Sequence, residues 1–228
     1  MNIDKNTDAF LVIDIQHDFC TGGALAVVDG EEIVEGVNKL SEHFDTIVLS
    51  QDWHPQTHAS FASNHEGKNA FEEITMPYGP QTLWPNHCVQ DTRGAEFRED
   101  LAPTVVRACS IVRKGMHPHI DSYSAFFEND KITSTGLGAF LKDRGIKRIF
   151  MTGLAYDFCV GFSALDAKKL GFDVVVVKDL TRSIGMPLKE GTTEDLMDKQ
   201  LEEAGIDIAS SNKLLAPSAF ASTIKKAV

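Results

Sequence analysis

The sequence predicts an α/β protein built as a doubly wound parallel sheet. Five short β-branched runs stand out, and the central ones are continuously apolar rather than alternating, which suits strands covered on both faces. Segments with helical spacing lie between them, and strand–helix alternation builds parallel sheets. No repeat, low-complexity tract or linker interrupts the pattern, so residues 1–228 read as one domain.

The elements run in order. "AFLVIDI" (9–15) is the first strand. "GEEIVEGVNKLSEHF" (30–44) follows as a helix, with Ile33, Val34, Val37 and Leu40 on one face. "TIVLS" (46–50) and "CSIVRK" (109–114) are the next strands, separated by residues 53–100. That stretch is rich in Trp, Pro, Gly, Asn and His and has little periodicity; it reads as a loop-rich active-site insertion. "TGLGAFLKDRG" (135–145) is a helix with Leu137, Phe140 and Leu141 inward and a glycine stop. "RIFMTG" (148–153) is a strand leading into "CVGFSALDAKKLG" (159–171), a helix with Val160, Ala164 and Leu165 inward that starts near Cys159. "FDVVVVKD" (172–179) is the fifth strand. "TEDLMDKQLEEAG" (193–205) is a helix with Leu196, Met197, Leu201 and Ala204 inward, and "GIDIAS" (205–210) is a weaker strand candidate.

Composition excludes several classes of function. Lys and Arg number 22 against 33 Asp and Glu, a net charge of -11. Such a chain is repelled by nucleic-acid phosphates and by anionic membranes, so neither is expected as a partner. The Lys225–Lys226 pair is too short to form a basic patch. No apolar run approaches a membrane span. The polar, acidic first ten residues do not read as a secretory signal. Cys20, Cys88, Cys109 and Cys159 are widely spaced, which suits a reducing, cytoplasmic compartment rather than a disulfide scaffold.

Ligands of open parallel sheets bind at the carboxyl ends of strands. Four strand ends here offer Asp14, then Asp52 with His54, then Lys114, then Cys159. A thiol at a helix N-terminus is favoured as thiolate by the dipole and free amides there, although a lone cysteine is more often plain core. Asp14, bracketed by aliphatics, needs a partner; Lys114 could equally be a solvated surface residue. "DWH" points Asp52 and His54 the same way along an extended segment, and His87 lies in the loop region. Asp plus two His is a three-ligand set for Zn²⁺, Fe²⁺ or Mn²⁺; alternatively the two imidazoles bond loop backbone. His117 and His119 form an H-x-H pair around a proline and read as loop residues. So do His43, His58 and His65, and His17 near Asp14 is left open between site and loop.

These residues carry a resemblance. "FLVIDIQHDFCTGGALAV", "SQDWHPQTHASF", "LWPNHCVQDTRGAEF", "RKG" and "TGLAYDFCV" together resemble the nicotinamidases of the isochorismatase-like cysteine hydrolase superfamily, in register from about residue 8 to 183. The resemblance implies a six-stranded parallel sheet with helices on both faces. It implies an Asp14–Lys114–Cys159 triad, an oxyanion hole from the backbone amides of Ala155 and Cys159, and a cis peptide at Leu154–Ala155. It implies one divalent transition metal on Asp52, His54 and His87, with Ser60 where some members use a further ligand. Phe19, Trp84, Tyr123 and Leu154 fall at substrate positions. The implied reaction is hydrolysis of nicotinamide to nicotinate and ammonia through a thioester, serving NAD salvage, with pyrazinamide as a further substrate; members are often homo-oligomers. Thr21, Asp91, Arg93, Tyr156 and Phe158 depart from the family pattern and bear on substrate preference.

Three rival readings remain at this level. An amidase for a carbamoyl or ureido substrate would keep the triad and lack the Asp–His–His set. An isochorismate hydrolase would lack the cysteine. A non-catalytic pyridine sensor would bind ligand without releasing ammonia.

Overall fold

A computed structural model describes residues 1–216; the Lys225–Lys226 pair lies outside them. Six strands pair in parallel: β1 (Asp8–Ile13), β2 (Thr46–Asp52), β5 (Ser110–Lys114), β6 (Arg148–Leu154), β7 (Asp173–Arg182) and β8 (Asp207–Ala209). Their spatial order is β5-β2-β1-β6-β7-β8. The chain therefore moves outward from β1 to β5, then returns to the other side of β1. That reversal is a topological switch point, where strand ends diverge and leave a crevice.

The continuous apolar runs follow from burial on both faces. Along β1, Phe10 and Val12 join one core layer, while Ala9, Leu11 and Ile13 join the other. The first layer is covered by α1 (Val34–Ser41) through Val34, Val37 and Leu40. The second is covered by α3 (Leu137–Asp143), α4 (Gly161–Lys169) and α5 (Thr193–Glu203) through Leu137, Leu141, Ala164, Ala167, Met197 and Leu201. Short helices α2 (Ala102–Val105) and α6 (Ser211–Leu215) complete the α-helices of the described residues.

Several expectations shift. The helix expected over 30–44 is a 3₁₀ turn at Gly30–Ile33 followed by α1, and Phe44 leaves it to stack on Phe10 at 5.0 Å. Leu196 is 46% exposed, off the buried face of α5. The stretch 53–100 is loop-rich as expected but holds an antiparallel hairpin, β3 (Glu73–Met76) with β4 (Gly79–Thr82). Before α4 comes a wide π-turn, Tyr156–Val160, so Cys159 sits in that turn rather than at the first residue of the α-helix.

One glycine is dictated by the strand ends. Gly153 has φ +113°, and a Cβ there would lie 2.0 Å from the Ile13 carbonyl oxygen. Only glycine lets β6 approach β1 so closely just before the site.

Candidate active site

The order β5-β2-β1-β6 sets Lys114, Asp52, Asp14 and the turn carrying Cys159 side by side at one edge of the sheet. Asp52 and Lys114 are direct cross-strand partners. Asp14 follows β1 with φ +48°, a left-handed conformation that Asp tolerates better than most residues. Leu154–Ala155 is cis, as the resemblance implied.

Lys114 Nζ is the hub and is fully buried. It donates to Asp52 Oδ1 (2.9 Å), the Ser122 carbonyl (3.0 Å) and Cys159 Sγ (3.4 Å). An ammonium has three protons, and these contacts use them. Asp14 Oδ2 lies 2.9 Å from the same nitrogen yet receives no hydrogen bond, while Oδ1 accepts from Ser50 Oγ at 2.7 Å. One carboxylate oxygen is thus held beside a cation, buried, with its lone pairs unused by any hydrogen bond. It is placed to accept a proton.

Electrostatics follow burial and charge. Burial opposes the Lys114 charge, but Asp14 and Asp52 hold its pKa well above the lysine range. Burial likewise works against the Asp52 charge, but His54 and Lys114 keep its carboxyl well below the usual range. Burial raises Asp14, against the pull of Lys114. Burial also pushes the Cys159 thiol well above its ordinary value, with Lys114 pulling the other way and Asp14 and Asp52 adding to the rise. The helix-end position therefore does not by itself yield a resting thiolate. The thiol must lose its proton as it reacts, and Asp14 is the adjacent acceptor.

Asp52, His54 and His87 are buried, with one potential ligand atom from each within 4.8 Å of the others. His54 Nδ1 faces the Gly115 carbonyl at 2.9 Å and His87 Nδ1 faces the Pro85 carbonyl at 2.8 Å. Donation there leaves both Nε2 lone pairs turned towards Asp52 Oδ2, at 3.0 and 3.4 Å. Such a contact needs a positive charge, a proton on the ring or a metal ion, and carbonyl-oriented imidazoles beside a carboxylate are ordinary ligands of a divalent metal. The residues present fit one. The reading of the two imidazoles as bonded to loop backbone is met through Nδ1, and that arrangement leaves each Nε2 facing Asp52. Gly115 explains "RKG": with φ +65°, a Cβ there would lie 2.3 Å from the His54 ring.

Neighbouring groups pin this set. Gln16 bonds the Asp52 carbonyl and amide, both at 2.8 Å. Asp18 accepts from the Cys88 amide at 2.7 Å, next to His87. Ser60 is buried, but its hydroxyl is engaged 2.7 Å from His58 Nδ1. His58 lies in a loop, one half of its surface-or-loop reading, but it is not at the surface. It is fully buried and its ring lies 4.3 Å from that of His54. His17 instead pairs with Glu99 at 3.1 Å, and His117 and His119 are exposed, outside the group.

A cleft of about 340 Å³, counting solvent at its mouth, opens onto Cys159, Asp52 and His87. Phe19, Trp84 and Tyr123 line it, as expected. Leu154 does not: its side chain is fully buried in the core, and Ala155, Phe158 and Ile184 take the wall. Asp121, also lining the cleft, was missed by sequence reasoning. Its only signal was an isolated acid in "HIDSYS", two residues before Tyr123.

Comparison with known proteins agrees with this geometry. The isochorismatase domain model matches residues 8–202. A nicotinamidase of Acinetobacter baylyi is 47% identical over 211 residues, covering 92% of this chain and 95% of the relative. A solved nicotinamidase/pyrazinamidase of Acinetobacter baumanii superposes with a TM-score of 0.88 at 44% identity, over 93% of this chain and 99% of that one. A pyrazinamidase of Pyrococcus horikoshii solved in complex with zinc has a TM-score of 0.68 at 33% identity, over 89% of this chain and 98% of the other.

Proposed function

This chain belongs to the isochorismatase domain family, and from that premise we propose how its cleft carries out the reaction: hydrolysis of nicotinamide to nicotinate and ammonia. The observation that supports the mechanism is the buried Asp14 Oδ2, ion-paired with Lys114 Nζ at 2.9 Å yet accepting no hydrogen bond, in the same cluster as the Cys159 thiol.

The amide enters between Phe19, Trp84 and Tyr123 with its carbonyl carbon towards Cys159. Asp14 takes the thiol proton as Sγ attacks. Lys114 keeps the sulfur and the two carboxylates together without itself giving up a proton, consistent with its raised pKa. The backbone amides of Ala155 and Cys159 receive the tetrahedral oxyanion, each worth about 3 kcal/mol in comparable sites. Asp14 returns the proton to the departing ammonia, leaving a thioester on Cys159. Asp14 then draws a proton from water, which attacks the thioester, and the sulfur regains its proton as nicotinate leaves.

Asp52, His54 and His87 would hold the metal, with Ser60 supporting them through His58. When bound, the metal supplies Lewis acidity and a site for a ring-nitrogen lone pair. One carboxylate and two imidazoles suit Zn²⁺ or Fe²⁺, with Mn²⁺ next. Pyrazinamide, with the same carboxamide on a similar ring, is a second substrate in this reading. Four free cysteines support a reducing, cytoplasmic setting.

Intact-mass spectrometry of acid-quenched enzyme tests the chemistry. A nicotinoyl adduct on Cys159 during turnover of nicotinamide is expected. Turnover with the adduct on another residue would reject the assigned nucleophile.

A further inference from the structure

The β3–β4 hairpin reaches the cleft through one buried side chain. Gln81, on β4, is 1% exposed although the hairpin around it is largely open to solvent. Its Nε2 donates to Asp121 Oδ2 and to the Thr82 carbonyl, both at 2.7 Å. Its Oε1 accepts from Tyr78 Oη at 3.0 Å and from Asn129 Nδ2 at 3.3 Å. The amide orientation is dictated by these partners. Two pure acceptors face the nitrogen and the Asn129 amide donates to the oxygen, so a flipped amide would oppose those three partners, with only the Tyr78 hydroxyl able to accommodate it.

Asp121 and Tyr123 both line the cleft. The Asp121 carboxylate has two fixed partners: Gln81, and the Ser122 amide at 2.8 Å. The Tyr123 oxygen lies 3.3 Å from Gln81 Nε2 and 3.3 Å from Trp84 Nε1. Gln81 has only two amide protons, and the 2.7 Å contacts take them; the Tyr123 contact is a weaker, shared one. Trp84 follows β4 by two residues and places its indole on the same cleft. One carboxamide therefore ties the hairpin to two wall residues, Asp121 and Tyr123, and through Tyr123 to Trp84, across 40 residues of chain in the case of Asp121.

We propose that Gln81 is a positioning residue for substrate binding: it holds the Asp121 carboxylate and the Tyr123–Trp84 wall in the arrangement that receives the aromatic amide. It touches neither the thiol nor the triad. Its loss loosens the wall and weakens binding, while the bond-making step proceeds once substrate is seated. The inference rests on the cleft being the nicotinamide site.

Steady-state kinetics on the metal-loaded full chain test it, with nicotinamide as substrate. Gln81→Leu keeps the volume and removes every hydrogen bond. It is expected to raise KM about tenfold with kcat within about threefold, the signature of lost uniform binding. Gln81→Glu puts an oxygen against the Asp121 carboxylate and raises KM further. Adding Asp121→Asn to it restores a donor–acceptor pair with the polarity reversed, and is expected to recover at least about threefold in KM relative to Gln81→Glu alone. A Gln81→Leu chain with unchanged KM, or with kcat lost at unchanged KM, overturns the proposal. So does a double variant that recovers nothing, which decides the matter if the leucine variant fails to fold. Wild-type protein that leaves nicotinamide intact would reject the reading of the cleft instead, so the two failures are told apart.

Discussion

At the scale of single residues, the site is a charge problem solved by one lysine. Two buried carboxylates flank Lys114 Nζ at 2.9 Å each. Lys114→Met would leave them facing each other without a cation. Breaking one partner out of a buried ionic group costs about 3–5 kcal/mol, so the urea midpoint should fall sharply as activity is lost. Asp14 must be ionised to take the thiol proton, and burial raises its pKa above the ordinary 3.8. The kcat/KM profile should therefore lose activity as pH falls through that raised value. Asp14→Asn, which cannot take the proton, should remove the limb along with most of the rate. Glu128 supplies a stability signal away from the chemistry. Burial, reinforced by Asp130 and Asp121, pushes it from 4.5 up to about 7. The folded chain then holds the extra proton between those values, so stability decreases as pH rises across that window. Calorimetry across it should show this decline in wild type and a flatter curve in Glu128→Gln.

Residue-scale legibility was uneven, and the reasons are physical. Asp14, Asp52, Lys114 and Cys159 were visible because strand ends mark where ligands bind. His58 and Asp121 were not, because each is buried by contacts far away in sequence. The His58 ring is packed against His54 and its Nε2 meets the Ile120 carbonyl at 3.3 Å; Asp121 is fixed by Gln81. A lone polar residue in a loop gives no hint of such partners. The thiolate expectation drew on the helix-end dipole, which is local and readable, whereas the burial that pushes the Cys159 thiol up depends on the whole surround.

At the scale of elements, strands with uninterrupted apolar runs were read well, since burial on both faces writes itself into composition. The β3–β4 hairpin was not. Its β3 alternates over only four residues, Glu73–Met76, too short a run to stand out, and Pro80 disguises β4. The start of α5 offers a clean test of local control. Thr192 Oγ1 accepts from the Asp195 amide while Asp195 Oδ2 accepts from the Thr192 amide at 2.8 Å, a reciprocal cap. Thr192→Ala should cost about 1 kcal/mol in denaturant unfolding. Thr192 does not line the cleft, so kcat/KM should stay unchanged.

For the molecule as a whole, the sheet order converts distant segments into one site. Asp14, Lys114 and Cys159, the proposed triad, span residues 14 to 159, and the metal-capable set adds two loops that pair through the His54–Val89 bridge. A cation bound only by the folded chain stabilises it by mass action. Chelation should lower Tm, and Zn²⁺ or Fe²⁺ should restore it. Ammonia release from nicotinamide is the most direct measurement, made on wild type, Cys159→Ala and chelated wild type in parallel. The account predicts rapid release by wild type, loss of at least about a thousandfold in Cys159→Ala, and loss on chelation that added metal reverses. Full release by Cys159→Ala would contradict it, because no other thiol lies against Asp14 and Lys114 among the described residues.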